Sequence, residues 1–112
     1  FKGIVIHPTS REIIENNNND DVILKVGAGL PWYKLIDFCN KKRYLGLENL
    51  TLIPGSVGAA PIQNIGAYGV ELQDVFSSCM LMEKKTGKIE KFTLNDCEFN
   101  YRDSVFKNNY KT

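Results

Sequence analysis

Apolar residues recur at helical spacing in one central stretch of the chain. The apolar positions follow the pattern i, i+3, i+4 and i+7, which is one face of an α-helix: Trp32, Leu35, Ile36 and Cys39. Pro31 stands before them, and proline suits a helix start because its missing N–H is not needed there. The basic run at residues 41–43 suits the negative end of the helix dipole. The pattern predicts one amphipathic helix that ends at this run.

Short runs rich in β-branched and aromatic residues predict strands elsewhere. We expect strands at 1–7, 22–26, 75–82 and 89–94. Between the first two strands, a polar segment that contains four consecutive asparagines predicts a surface loop or hairpin. Gly87 within residues 85–88 predicts a hairpin turn between the last two strands.

Two further short helical turns complete the predicted elements. Residues 57–60 are expected to form a brief helix that Pro61 ends. Asn95 and Glu98 have the spacing of a capping box, which predicts a helical turn at 95–98. Together these elements predict an α+β fold with antiparallel strands and two or three short helices.

The stretch 53–71 contains four of the nine glycines and two of the four prolines, and its first charged residue is Glu71. It is too rich in glycine and proline for one helix and too apolar for a solvated loop. Its backbone N–H and C=O groups need partners, and glycine allows close approach to the backbone. We expect a backbone-lined wall for a phosphate-bearing or planar heteroaromatic ligand. The alternative is a packed structural loop.

Within this stretch, two features suggest how a ligand would be held. The first N–H groups of the short helix at 57–60 are expected to face a ligand phosphate. The side-chain amides of Gln63 and Asn64 each carry donors and an acceptor, which suits the edge of a ring or a pyrophosphate.

A second candidate motif is the tetrapeptide Tyr-Arg-Asp-Ser at residues 101–104, flanked by Phe99 and Phe106. A guanidinium held between aromatic rings and a neighbouring carboxylate has a defined direction, and it can stabilise an oxyanion or bind a carboxylate in bidentate fashion. Arg102 is therefore a candidate catalytic residue. The alternative is an Arg102–Asp103 pair in a structural corner.

Composition narrows the class of protein. The 112 residues correspond to one small domain, and 43% of them are apolar. A net charge of +1 argues against a nucleic-acid partner, and no apolar run approaches the ~20 residues of a membrane span. Three widely spaced cysteines and one histidine offer no metal site and no supported cysteine nucleophile; reduced thiols in the cytoplasm are expected. The absence of an initiator methionine suggests a piece of a longer protein.

Several motifs resemble one enzyme family. They are Leu-Glu-Asn-Leu at 47–50, Ile-Pro-Gly-Ser-Val-Gly at 53–58, Pro-Ile-Gln-Asn-Ile-Gly-Ala-Tyr-Gly at 61–69 and Tyr-Arg-Asp-Ser-Val-Phe-Lys at 101–107. In this order and spacing they closely resemble the UDP-N-acetylenolpyruvoylglucosamine reductases, flavoenzymes of bacterial peptidoglycan precursor synthesis. The resemblance covers essentially all 112 residues.

This resemblance implies a vanillyl-alcohol-oxidase-like (PCMH-type) FAD-binding domain, of which residues 1–112 would be the second part. It implies bound FAD, reduction by NADPH and, as small-molecule substrate, UDP-N-acetylglucosamine enolpyruvate, which becomes UDP-N-acetylmuramate. Arg102 falls on the family's catalytic arginine, and Tyr101 would shape the same pocket. The residues that would line the flavin are Ser56, Gly58, Pro61, Ile62, Asn64, Gly66, Ala67 and Tyr68.

The same resemblance implies that other parts of the enzyme complete the site. The loop that holds the FAD pyrophosphate would precede Phe1, and the proton-donating serine and a second charge-stabilising glutamate would follow Thr112. The remainder of the same enzyme chain is therefore an expected partner. Two other hypotheses remain open at this point: a stand-alone FAD- or nucleotide-binding module, and an inactive fragment.

Overall fold

Two antiparallel hairpins and one helix dominate the elements of the computed structural model, which describes residues 2–109. In chain order the strands and α-helices are β1 (Ile13–Asn18), β2 (Asp21–Val26), α1 (Trp32–Lys42), β3 (Gly66–Ala67), β4 (Val70–Glu71), β5 (Ser78–Met82), β6 (Ile89–Thr93) and α2 (Val105–Asn109). Three 3-10 helices lie at Glu48–Leu50, Val57–Gln63 and Leu72–Asp74. The strands form three separate antiparallel pairs, β1–β2, β3–β4 and β5–β6. The predicted α+β class with antiparallel strands and short helices is confirmed.

The chain divides into two units, Phe1–Ala59 and Ala60–Thr112. In the first unit, the core is the predicted face of α1, where Trp32, Leu35, Ile36 and Cys39 are buried. The Trp32 indole Nε1 donates to the Leu50 carbonyl oxygen at 3.0 Å. This bond satisfies the polar atom of a buried aromatic ring and ties α1 to the following 3-10 helix.

The helix α1 begins and ends as the sequence predicts. It runs from Trp32 to Lys42, directly after Pro31. Arg43 caps it in the left-handed conformation and donates its N–H to the Asn40 and Cys39 carbonyls. Such a cap satisfies carbonyl groups that the last helical turn leaves unpaired.

The predicted strand at 1–7 is wrong. Lys2–His7 form no strand, and Ile4, Val5 and Ile6 are largely exposed; Phe1 lies outside the described residues. β-branched residues favour extended backbone, but a strand also needs a paired neighbour, and none of the described strands pairs with this segment.

Of the two structures expected for the polar segment, a loop or a hairpin, the asparagine run forms a hairpin, and most of the run is strand. Asn16, Asn17 and Asn18 belong to β1 and pair with Ile23, Val22 and Asp21. Only the next two residues form the turn, in which Asn19 has a φ of 53°. Asparagine tolerates this left-handed conformation, so the hairpin closes in two residues.

In the second unit, the core lies between the β5–β6 hairpin and α2. Cys97, Val105 and Phe106 are buried, and partly buried hydrophobic residues pack against them: Phe76, Cys79, Leu81, Phe92 and Phe99. The predicted hairpin turn before β6 is confirmed, with Gly87 at a φ of 70°. No helix among the described residues is long and apolar enough to cross a membrane.

Two predictions about short helices are wrong, one about where a helix ends and one about whether a helix forms. The short helix at 57–60 continues through Pro61 to Gln63, because helical turns accept proline's fixed φ and lose only one N–H donor. No helix forms at 95–98, where Glu98 has a φ of 48° and the Asp96 carboxylate accepts a bond from the Thr93 N–H at 2.9 Å. A capping box instead joins Glu71 and Asp74, at the start of the Leu72–Asp74 helix.

Candidate active site

The N–H groups at the start of the Val57–Gln63 helix are used inside the protein. The N–H of Val57 donates to the Leu30 carbonyl and that of Gly58 donates to the Ala28 carbonyl, each at 2.9 Å. The N–H of Ala59 bonds to the Ser56 carbonyl at 3.1 Å. The expectation that free N–H groups of this helix face a phosphate is therefore wrong for these three positions.

Gly58 is required by internal packing. A Cβ atom added there would lie 2.8 Å from the Cβ atom of Ala28. The segment around Ser56, which bridges to Pro31, therefore runs directly against the loop before α1. Close approach of two backbones, which glycine permits, occurs here between two parts of the chain.

Arg102 lies in a tight turn of the second unit. Asn100 and Asp103 exchange two backbone hydrogen bonds at 3.1 Å, so Tyr101 and Arg102 occupy the turn between them. Arg102 has a φ of 49°, a left-handed conformation that is uncommon for non-glycine residues. The Lys107 ammonium donates to the Arg102 carbonyl oxygen at 3.0 Å, which ties the turn to α2.

The guanidinium of Arg102 points toward the β3–β4 hairpin. Its Nη2 donates to the Gly66 carbonyl oxygen at 2.6 Å, and its Nη1 lies 3.9 Å from the Glu71 Oε1. Its Cζ lies 4.7 Å from the centre of the Tyr101 ring, which is within cation–π range. Sequence reasoning placed Arg102 correctly beside an aromatic ring and a carboxylate.

The identities of those neighbours differ from the prediction. The carboxylate is that of Glu71, while both Asp103 carboxylate oxygens accept bonds from the Asn108 amide. The alternative of an Arg102–Asp103 pair is therefore wrong. Phe99 packs edge-on against Phe76 and Phe106 packs against Phe92, whereas the ring beside the guanidinium is that of Tyr101. The partners of the Arg102 guanidinium are therefore set by its contact with the β3–β4 hairpin and not by its neighbours in sequence.

The Asn64 side chain is fully buried and saturated with internal hydrogen bonds. Its Nδ2 donates to the Glu71 carboxylate at 2.7 Å and to the Asn100 carbonyl at 3.0 Å, and its Oδ1 accepts from the Gln73 N–H at 3.0 Å. The interpretation of this amide as a reader of a ring edge or pyrophosphate is wrong.

A pocket of about 340 Å³ lies beside the Arg102 guanidinium. It is lined by Ala67, Gly69, Val70, Glu71, Asp74, Tyr101 and Arg102. Three residues identified from the sequence thus meet there: Ala67, Tyr101 and Arg102. Of the other predicted site residues, Gly66 contacts Arg102, and Tyr68 is highly exposed at the hairpin tip. Three more do not line this pocket: Pro61, Ile62 and Asn64. Ser56 and Gly58 belong to the first unit.

Sequence reasoning missed the two carboxylates of this pocket, Glu71 and Asp74. One signal was available, because Glu71 is the first charged residue after a long uncharged stretch. Positive φ values also occur at Arg102, which lines the pocket, and at Tyr68 and Asn64, which do not. Non-glycine residues in this conformation are costly and concentrate at functional sites.

The cysteines contribute no nucleophile to this site. Burial is the main cause that raises the pKa of Cys97 to about 12, and the neighbouring Cys79 thiol adds to the effect. Burial also raises the pKa values of Cys39 and Cys79. Thiols with raised pKa values are poor nucleophiles at neutral pH. Among residues 2–109, no group of three or more histidine, cysteine or acidic residues could hold a metal ion.

Comparison with known proteins identifies the family. The model of a family described as "FAD binding domain" matches residues 1–93. The chain belongs to this FAD-binding family. The predicted PCMH-type FAD-binding fold is thereby confirmed, and the glycine-rich hairpin lies within the matched residues, whereas Arg102 follows them in the chain.

Curated relatives of this FAD-binding chain support the resemblance found in its motifs. It is 52% identical to a UDP-N-acetylenolpyruvoylglucosamine reductase of Amoebophilus asiaticus over 99% of its length, and 49% identical to that of Pseudomonas syringae pv. syringae over 95%. The chain spans about a third of these relatives, 33% and 32%. The resemblance to this reductase family is confirmed.

A solved structure of the same reductase family is also similar to this chain. The crystal structure of a UDP-N-acetylenolpyruvylglucosamine reductase from Thermus caldophilus is similar with a TM-score of 0.65 and 29% sequence identity. The match covers 70% of this chain and 29% of that protein.

Proposed function

We propose that this chain is part of an NADPH-dependent UDP-N-acetylenolpyruvoylglucosamine reductase, which reduces UDP-N-acetylglucosamine enolpyruvate to UDP-N-acetylmuramate in the cytoplasm for peptidoglycan synthesis. The observation that carries the proposal is the Arg102 guanidinium, held in one direction beside a pocket in an FAD-binding fold. Membership of the FAD-binding family supports the cofactor, and the names of the curated relatives support the substrate.

The residues present fit a flavin. Ile62 and Tyr68 expose much of their side chains and offer apolar and aromatic surface to a ring system. Nothing lies within 4 Å of the position that a Cβ atom would take at Gly69, so the hairpin tip leaves room for a ligand. We propose that eight residues contact FAD: Ser56, Gly58, Pro61, Ile62, Asn64, Gly66, Ala67 and Tyr68. When bound and reduced, FAD supplies the hydride.

Arg102 and Tyr101 act on the substrate in this proposal. Hydride addition to the enolpyruvyl methylene carbon places negative charge on the neighbouring carbon and its carboxylate. The Arg102 guanidinium stabilises that charge, because its position is set before the charge develops. The largely exposed Tyr101 ring stacks under the guanidinium and shapes the wall of the pocket.

The test is the Arg102→Ala variant of the full-length protein. We expect FAD content and flavin reduction by NADPH to stay at the parent level, while flavin reoxidation by the enolpyruvyl substrate slows by about 10²- to 10³-fold, the usual cost of one oxyanion-stabilising donor. Stopped-flow absorbance of the flavin measures both half-reactions. Arg43→Ala, which removes an exposed arginine at the end of α1, is the matched control and should behave like the parent.

Three results would contradict the proposal or part of it. Equal reoxidation rates in Arg102→Ala and parent would refute the role of Arg102. Flavin that is reduced by NADPH in the parent but not reoxidised by the enolpyruvyl sugar would favour a different flavin-binding function. A full-length protein without FAD would refute the cofactor.

A further inference from the structure

One donor of the catalytic guanidinium has no hydrogen-bond partner. Among the described residues, Arg102 Nη1 is the only buried side-chain nitrogen or oxygen without such a partner. Its nearest acidic atom, the Glu71 Oε1, lies 3.9 Å away, beyond the ~2.7–2.9 Å of a charge-assisted hydrogen bond. The guanidinium is therefore held by one bond to the Gly66 carbonyl and by the Tyr101 ring, and its Nη1 end is held only by electrostatic attraction to Glu71.

The Glu71 carboxylate is itself held firmly. Its Oε2 accepts bonds from the Asn64 Nδ2 at 2.7 Å and from the Gln73 Nε2 at 2.6 Å. Its backbone pairs with Gly66 in the β3–β4 hairpin, and its N–H donates to the Asp74 carboxylate at 2.9 Å. With Oε2 occupied by two amides, Oε1 is the oxygen that faces Arg102.

The buried Asn64 amide links this carboxylate to the turn that carries Arg102. The same Nδ2 group that bonds Glu71 also bonds the carbonyl of Asn100, two residues before Arg102. Asn64 thereby fixes the two ends of the Arg102–Glu71 pair to one another. Because its amide is saturated and inaccessible to solvent, the spacing of the pair is set by the fold.

We infer that Glu71 is a positioning residue for Arg102. The Glu71 carboxylate attracts the Nη1 end of the guanidinium and so orients it. Because the two groups do not form a close ion pair, the positive charge of Arg102 remains available to a ligand. The carboxylates of Glu71 and Asp74 also make their side of the pocket unfavourable for anions, which directs an anionic group of the substrate to the guanidinium. This inference deepens the proposed function and rests on it.

The test compares Glu71→Gln with the parent in the full-length enzyme. Glutamine keeps an oxygen that can accept the bonds from Asn64 and Gln73, and it removes only the charge. We expect FAD content and flavin reduction by NADPH to be unchanged, and reoxidation by the enolpyruvyl substrate to slow by about 10- to 100-fold because the guanidinium is misplaced. The dissociation constant of the substrate for the oxidised enzyme should stay equal or decrease, because a negative charge has been removed.

Two further variants separate positioning from simple loss of structure. Glu71→Asp keeps the charge and should give a reoxidation rate between those of Glu71→Gln and the parent. Glu90 lies on β6 and forms an exposed ion pair with Lys88, which precedes that strand. The control variant Glu90→Gln removes this carboxylate and should match the parent. A second readout does not require turnover: in nitrogen-15 NMR spectra, the two Nη groups of Arg102 should give separate signals in the parent and merge in Glu71→Gln, since the lost partner allows faster rotation.

Each outcome decides the inference. Reoxidation in Glu71→Gln as fast as in the parent, or separate Nη signals in this variant, would refute the role of Glu71. If Glu71→Gln does not fold, a Glu71→Asp rate equal to that of the parent with unchanged Nη signals would refute it as well. If the parent itself fails to reoxidise with substrate, the proposed function is wrong, and the NMR comparison alone decides whether Glu71 positions Arg102.

Discussion

At the scale of single residues, the requirement for glycine at position 66 comes from the Val70 carbonyl across the hairpin and from the Arg102 guanidinium. A Cβ atom at Gly66 would lie 2.5 Å from Arg102 Nη1 and 2.8 Å from the Val70 carbonyl oxygen. The sequence suggested that glycines in this stretch allow a ligand to approach the backbone. At Gly66, the approaching groups are the Val70 carbonyl and the Arg102 guanidinium, which belong to the protein itself.

We predict that Gly66→Ala in the full-length enzyme displaces Arg102 and slows flavin reoxidation by substrate by about 10²-fold, the typical cost of a misplacement near 1 Å. Stopped-flow absorbance measures the rate, and the absorbance of the purified protein measures FAD content, which should also fall. Gly87→Ala is the control for a general loss of stability: its φ of 70° makes alanine strained there, but its Cβ atom would meet nothing within 4 Å, so turnover should stay at the parent level. A Gly66→Ala variant with parental turnover would show that Arg102 tolerates displacement.

At the scale of elements, the β3–β4 hairpin combines a tight turn with an exposed ring. Ala67 pairs with Val70, so Tyr68 and Gly69 alone form the turn, with φ values of 52° and 77°. Two-residue hairpins with positive φ at both positions favour Asn-Gly, and a bulky residue at the first position is strained. Tyr68 is 85% exposed, so burial of its ring does not compensate for this strain. Strain of this kind is typical of a residue kept for binding.

We therefore predict opposite effects of Tyr68→Asn on stability and on cofactor affinity. The variant should raise the free energy of unfolding of the FAD-free protein by about 0.5–1 kcal/mol, because asparagine adopts the left-handed conformation more readily. It should also weaken FAD binding, because the aromatic surface is lost. Urea unfolding and fluorescence titration with FAD measure the two quantities. A variant that binds FAD as tightly as the parent would remove Tyr68 from the cofactor site.

At the scale of the whole molecule, the buried thiol of Cys97 makes stability depend on alkaline pH. The ordinary thiol pKa is 9.0, and in the folded protein burial raises the pKa of Cys97 to about 12. Below pH 9 the thiol is neutral in both states, so it contributes no pH dependence. Above that pH the unfolded state loses the proton first, which stabilises the unfolded state.

We predict that the free energy of unfolding falls as pH rises from 9.0 toward about 12, and that it falls less steeply in Cys97→Ala. Urea unfolding at a series of alkaline pH values, with both proteins measured in parallel, isolates the contribution of this thiol from those of lysines and tyrosines. Identical slopes for the two proteins would mean that the Cys97 thiolate is accommodated in the fold.

The sequence by itself determined the elements that depend only on residues close together in the chain. The helix α1 follows from the spacing of four apolar residues between Pro31 and the basic run, and each repeat of that spacing returns to the same face. The turn before β6 follows from the positive φ that Gly87 accepts. The order and spacing of the glycine-rich and Tyr-Arg-Asp-Ser motifs sufficed to indicate the family.

The tertiary structure alone decided the partners in the candidate active site. Sequence neighbours suggested Asp103, Phe99 and Phe106 around Arg102, but the guanidinium meets Glu71, Gly66 and Tyr101. The direction of that side chain depends on the positive φ of Arg102, which its residue type does not favour. It depends equally on the buried Asn64 amide, which joins segments far apart in sequence. Such long-range bonds form only when the whole unit folds, and no local pattern of residues encodes them.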